Sequence, residues 1–135
     1  VAARSTALAA RLSLAARVCQ RQRMNLTATL GAVLSVIAGL LGLLWPRAVS
    51  RVVGLALPGP LGVSEVRATY GGLFVAAGAA VLVLQQRASA LVLGAGWAGA
   101  CAARLVSLVV DRSRSRENLA GVVVEGAMAA LLLAA

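Results

Sequence analysis

Leu26 to Trp45 is a run of twenty residues without one ionisable side chain, and nothing else in the chain constrains the fold as tightly. As a helix rising about 1.5 Å per residue, it matches the roughly 30 Å hydrocarbon core of a bilayer. Three more apolar runs follow, each carrying some polar interruption. Ala68 to Leu84 is shorter but extends through Gln85 and Gln86 to Arg87, and Arg67 at its start can snorkel to the interface. Ala88 to Val110 contains Arg104, and Leu119 to Ala135 contains Glu125. None of the four shows a polar face repeating at the helical period, which a helix in a soluble bundle needs. Hydrophobic residues make up 61% of the 135, and charged residues 13%, against about 25% in globular domains. A soluble domain of this length has too little polar surface to cover so much apolar area.

The charge balance narrows the function classes. A net charge of +9 raises the question of nucleic acid, but a nucleic-acid reader needs exposed aromatics or a polar recognition face. Trp, Tyr and Phe together number four, and every basic residue is Arg. No nucleic-acid partner is expected. The chain has no His, which removes His-based acid–base catalysis, Ser-His-Asp hydrolysis and His-ligated zinc. Cys19 and Cys101 make no disulfide framework. No metal, cofactor or catalytic residue is assigned.

The joints between runs carry recognisable punctuation. Trp45-Pro46 closes the first helix, because Trp favours the interface and Pro stops a helix. Arg47 to Ser64, with Pro58-Gly59-Pro60, reads as a loop holding a short interfacial helix at Val49 to Leu57. Gln85 to Arg87 is a tight turn, and Asp111 to Asn118 a short polar connection, so the helices on either side of each are antiparallel neighbours. The expectation is an all-α, integral membrane, antiparallel four-helix bundle with helices at about 26–45, 67–86, 88–110 and 118–135. It forms one membrane domain over 24–135, preceded by a basic Ala- and Arg-rich tail over 1–23. That tail holds five Arg and no acid. It reads either as an amphipathic or targeting segment or as sequence upstream of a start at Met24. Charge alone leaves the orientation open, because the tail and the longer loops pull in opposite directions.

Small residues recur every four positions. Thr27, Gly31, Ser35 and Gly39 form one stripe, and Ala95, Gly99 and Ala103 another. Both are expected to serve close helix packing, with a homo-oligomer left open. Gly94, Gly96 and Gly99 also spell GxGxxG, with Val122 to Glu125 as an imitation of a second strand and its acid. Too little chain follows Glu125 for a dinucleotide-binding fold, and the upstream sequence would be left as stranded helices.

The polar residues of the apolar runs converge on one membrane half. Alternating helices bring together Glu65, Arg67 and Tyr70 at the start of the second, Arg104, Ser107 and Asp111 at the end of the third, and Asn118 and Glu125 at the start of the fourth. Arg104 lies seven residues before Asp111 and Glu125 seven after Asn118, so each is about 10 Å inside its helix end. An unpaired charge at that depth costs about 2.5 to 3.5 kcal/mol on the insertion scale, and pairing is its natural relief. Two readings follow. Either the pair is cement between two helices, or the cluster lines a cleft that holds an anionic or polar head group, with Arg67 and Arg104 as donors and Glu125 as acceptor or proton carrier.

The segment Glu65-Val-Arg-Ala-Thr-Tyr-Gly-Gly72, followed by Arg104, Ser107, Asp111, Asn118 and Glu125, resembles the bacterial family known as domain of unknown function 4345, small proteins with four membrane helices. The resemblance covers Met24 to Ala135 and is most specific in that first segment. It implies a membrane bundle and brings no activity with it. The tail before Met24 departs from the family pattern, and the stop at Ala135 leaves a truncation open. Three functions are thus carried forward for a multi-pass protein of the inner membrane. The first is binding of a lipid head group or small amphiphile at the polar cluster. The second is a structural or assembly subunit, and the third, ranked last, a membrane enzyme working without His through Glu125, Asp111 and Tyr70.

Overall fold

The computed structural model describes residues 23–135, and the basic tail before them lies outside the described part. The regular elements of the described residues are all helices, with no strand and only a single antiparallel bridge between Arg23 and Gln86. α1 spans Leu26–Leu44, α2 Pro46–Val52, α3 Gly59–Leu84, α4 Arg87–Val110 and α5 Arg116–Leu133. Asn25 caps α1 by accepting the Ala28 N–H at 2.9 Å. Ser115 caps α5 by accepting from the Asn118 N–H at 3.2 Å. α1, α3 and α4 are each long and apolar enough to cross a membrane. α5 has 18 residues but carries Arg116, Glu117 and Glu125.

The segment after Trp45 departs from the expected loop. Its short helix begins at Pro46 and ends at Val52, rather than covering Val49 to Leu57, and Gly54 at φ 74° terminates it. α3 begins at Gly59, well before the expected start near residue 67. Both shifts have one cause. Pro46 and Pro60 occupy the first turn of a helix, where a missing N–H loses nothing and the ring pre-sets φ. They act as starts as well as stops.

Within α3, Arg67–Gly72 forms a π-helical turn, and the Leu73 N–H reaches back five residues to the Ala68 carbonyl. Gln85, at φ 51°, then ends α3 and Arg112, at φ 54°, lies just past the end of α4. Beyond α4 the N–H groups of Asp111 and Ser113 both close on the Ser107 carbonyl, at 3.1 and 3.2 Å. The Ser107 carbonyl, one of those near that helix end, thereby accepts twice.

α1 packs against α3 and α5, and α4 packs mainly against α5. The α1–α3 seam is a backbone contact. A Cβ on Gly71 would lie 2.8 Å from the Leu43 nitrogen, and one on Gly42 would overlap the Tyr70 carbonyl. Gly31, Ser35 and Gly39 of the first small-residue stripe are buried as expected, while Thr27 is exposed. The second stripe is a correction, because Ala95, Gly99 and Ala103 face outward. The inward face of α4 carries Ala90, Gly94 and Trp97, and continues to Arg104. The physical reason is that Arg104 must meet Glu125, and that requirement fixes the rotation of α4. The GxGxxG glycines and Glu125 sit on helices, so they build no dinucleotide site.

Trp97 ties three helices together. Its indole N–H donates to Ser35 Oγ at 3.0 Å, Ser35 in turn donates to the Gly31 carbonyl at 2.9 Å, and the ring stacks on Phe74 with centroids 4.5 Å apart. The buried hydrophobic cluster of Ala28, Ala32, Val81, Ala90, Met128, Ala129 and Leu132 lies on one side of it. At that end of the molecule the Met24 N–H reaches the Gln85 carbonyl at 3.3 Å, and the Asn25 side chain donates to the Ala134 carbonyl. The start of α1, the α3–α4 turn and the end of α5 therefore meet. At the opposite end Tyr70, Arg104 and Asn118 come together.

Candidate functional site

Arg104 enters the interior from α4, and its charge is answered from α5. Its Nε donates to Glu125 Oε1 at 2.8 Å and its Nη1 to Asn118 Oδ1 at 3.1 Å. Asn118 is held by the connection before it, since its Nδ2 donates to the Ser113 carbonyl at 2.7 Å. Asn118, Gly121 and Glu125 recur at helical spacing on one face of α5, and Arg104 lies across them. A Cβ on Gly121 would sit 2.7 Å from Arg104 Nε and Cζ, so any larger residue requires the guanidinium to shift. The Arg104–Glu125 contact is the only salt bridge among the described residues.

The pair leaves one group unanswered. Glu125 is 9% exposed, and its Oε2 is buried with no hydrogen-bond partner among the described residues. A buried carboxylate oxygen without a donor carries an uncompensated desolvation cost.

Glu125 and Arg104 line a cavity of about 660 Å³, within the range of small-ligand pockets. Leu41 of α1, Tyr70, Leu73 and Phe74 of α3, Trp97 and Ala100 of α4, and Ala120 and Val124 of α5 form its walls, and Val49, Val52 and Val53 cover it from the α2 side. Glu117 stands at its lip, exposed, before the apolar run of α5 begins. Hydrogen bonding to its own backbone N–H and to Ser115 holds its carboxyl below the usual carboxylate range. The walls are thus mainly apolar, with Thr69, Tyr70, Arg104, Glu117 and Glu125 as the polar residues of the lining. No group of three or more His, Cys, Asp or Glu able to hold a metal occurs among the described residues.

The residues singled out in the sequence are distributed over several places. Tyr70, Arg104 and Glu125 share the cavity, and Asn118 stands behind Arg104 as its second acceptor. Glu65 lines a separate groove of about 320 Å³ with Leu61, Thr69 and Tyr70. Arg67 lines another of about 320 Å³ with Arg47, and Arg47 and Arg51 share a third of about 580 Å³. The Ser107 carbonyl takes part in the helix end and Asp111 is exposed. Sequence reasoning missed Gly121, Glu117 and the α2 valines. For Gly121 a signal was present, since a glycine midway between Asn118 and Glu125 on one helix face leaves room for a long side chain from opposite.

The family model described as Domain of unknown function (DUF4345) matches residues 24–135 of the chain. No curated protein and no solved structure matches it.

Proposed function

The chain belongs to the DUF4345 family, whose description carries no activity, and we propose that it is a four-span protein of the bacterial inner membrane that holds a small amphiphile between its helices. The apolar cavity of about 660 Å³ lined by the Arg104–Glu125 pair carries this reading. An ion pair serving only as cement has no need of 660 Å³ of space beside it. An amphiphile suits this lining, with an apolar body against Phe74, Trp97 and Leu73 and a polar end at the Arg104–Glu125 pair and Tyr70. Membrane insertion is supported by the three helices of spanning length. It is supported too by the Arg104–Glu125 pair, which removes the main obstacle to α5 as a fourth span. In such a four-helix bundle the cavity opens within the bilayer near its interface, where amphiphiles are concentrated.

Native mass spectrometry of the protein extracted in mild detergent tests the proposal. The wild type is expected to carry a bound amphiphile. Ala120→Phe, which fills the cavity from an exposed position of α5, is expected to lose it while remaining folded. Arg67→Gln lies outside the cavity and is expected to retain it. A wild type free of ligand that also takes up no added alkyl amphiphile returns the cluster to the role of cement in an assembly subunit.

A further inference from the structure

The whole chain holds four acidic side chains, Glu65, Asp111, Glu117 and Glu125, and Arg104–Glu125 is the only salt bridge among the described residues. Arg47, Arg51 and Arg67 are therefore without a carboxylate partner, and they gather at one place. Arg47 shares a groove of about 580 Å³ with Arg51 and one of about 320 Å³ with Arg67. Pro60 and Val63 also line both grooves, which join as one cleft between α2 and the start of α3. Helical spacing sets Arg47 and Arg51 on one side of α2, and Pro60, Val63 and Arg67 on one side of α3. Val49, Val52 and Val53 of α2 face the amphiphile cavity instead, so the cleft and the cavity lie on different sides of that helix.

Two further features prepare this cleft for an anion. Arg51 Nε donates to the Arg47 carbonyl at 3.1 Å, which holds that side chain along α2 and leaves its terminal amines without a partner among the described residues. Gly59 and Pro60, in the first turn of α3, line the larger groove, and no side chain caps that helix start. The positive end of a long helix thus adds to the field of the arginines.

We propose that the cleft between α2 and the start of α3 binds the phosphate of an anionic phospholipid, at a site separate from the amphiphile cavity and independent of it. Guanidinium forks match phosphate oxygens in pairs, and one anion among three arginines replaces their mutual repulsion with attraction. The surroundings suit a lipid better than free phosphate. Leu55, Leu57 and Val63 line the larger groove beside the arginines, giving the glycerol end of the molecule an apolar surface. Trp45, 58% exposed directly before α2, is the residue type that sits at head-group depth. A zwitterionic head group would carry its ammonium toward the arginines, so an anionic lipid is preferred.

The experiment is native mass spectrometry of the full chain in mild detergent, titrated with phosphatidylglycerol or phosphatidylcholine. Phosphatidylglycerol is expected to bind about tenfold tighter, the scale of a charge-assisted contact. Replacing Arg47, Arg51 and Arg67 together with Gln is expected to abolish that preference. Replacing Arg112, Arg114 and Arg116 with Gln removes the same charge from the α4–α5 connection and is expected to keep it. Equal binding of the two lipids, or equal loss in both triple variants, overturns the inference, because general surface charge then accounts for the binding. Inorganic phosphate is the competing probe, and displacement of phosphatidylglycerol by an equal concentration of it overturns the lipid as occupant. Where the first triple variant does not fold, Arg47→Gln alone serves, since Arg47 lines both grooves. Ala120→Phe is expected to leave phosphatidylglycerol binding unchanged, so failure of the cavity and failure of the cleft are read separately.

Discussion

At the scale of single residues, the interior of this protein is organised by one guanidinium. Arg104 draws on Glu125 and Asn118 at once, and Gly121 is the space it occupies. Removing either end of the pair alone strands a buried charge, a loss of about 3 to 5 kcal/mol in soluble interiors. Arg104→Ala and Glu125→Ala should each lower the unfolding temperature in detergent sharply. Arg104→Met with Glu125→Leu should recover most of the loss and fall short by about 1 kcal/mol, because Asn118 Oδ1 then lacks its donor. Additive losses in the double variant would argue against direct coupling. Gly121→Ala gives an independent check. Its methyl displaces the guanidinium in the wild type, yet should cost almost nothing in an Arg104→Ala background, and equal costs in both would show that the glycine serves some other contact. The meeting of Arg104 and Glu125 was legible from their matching depths in adjacent runs. The separation of Arg67 from Tyr70 was not. The two lie three residues apart on what reads as an ordinary helix, where they would be neighbours, but the Arg67–Gly72 π turn changes the angle between successive side chains. Periodicity arguments assume the regular helix and do not detect the extra residue.

At the scale of elements, glycine has opposite meanings on two helices, although the same small-residue spacing drew attention to both. Gly42 and Gly71 let α1 and α3 touch backbone to backbone, whereas a methyl group added at Gly96 or Gly99 of α4 would meet nothing within 4 Å. Gly42→Ala or Gly71→Ala should therefore destabilise by about 1 to 3 kcal/mol, as overpacking does. Gly96→Ala and Gly99→Ala should stabilise by up to about 1 kcal/mol, since a helix interior prefers Ala. Thermal melts of the four variants check the signs, and destabilisation at Gly99 would mean that this face is covered by something beyond the chain. The long apolar runs made α1, the α3–α4 hairpin and the α4–α5 hairpin legible, because uncharged length and short polar turns leave few alternatives. The α2–α3 region was misplaced because proline is ambiguous by itself. It ends the helix before it and starts the one after, and a sequence with Pro46 and Pro60 some fourteen residues apart supports either division.

At the scale of the whole molecule, the helices sort the charges by end. Arg47, Arg51, Arg67, Arg112, Arg114 and Arg116 lie at the cavity end with Tyr70, while Arg87 and Arg23 lie at the other, where Met24 contacts Gln85 and Asn25 contacts Ala134. In a bilayer, arginine-rich connections stay on the cytoplasmic side. A chain beginning at Met24 should then place its cavity end toward the cytoplasm and both of its own ends across the membrane. Arg4, Arg11, Arg17 and Arg21 add basic charge to the sequence before Met24, so their presence should weaken or reverse that bias. The arrangement predicts two separable outcomes for reporters fused before Met24 and after Ala135. In the proposed four-span arrangement the two should always report the same side, because an even number of crossings returns the chain to its starting face, and opposite signals would remove α5 from the membrane. Which side they report should depend on charge. Replacing Arg112, Arg114 and Arg116 with Gln should move the termini of the Met24 form toward the cytoplasm, and an orientation that ignores this change would mean that features other than loop arginines set it. Orientation would also decide where the proposed ligand comes from, since the cavity lies toward the arginine-rich face and an amphiphile would reach the Arg104–Glu125 pair from the leaflet on that side.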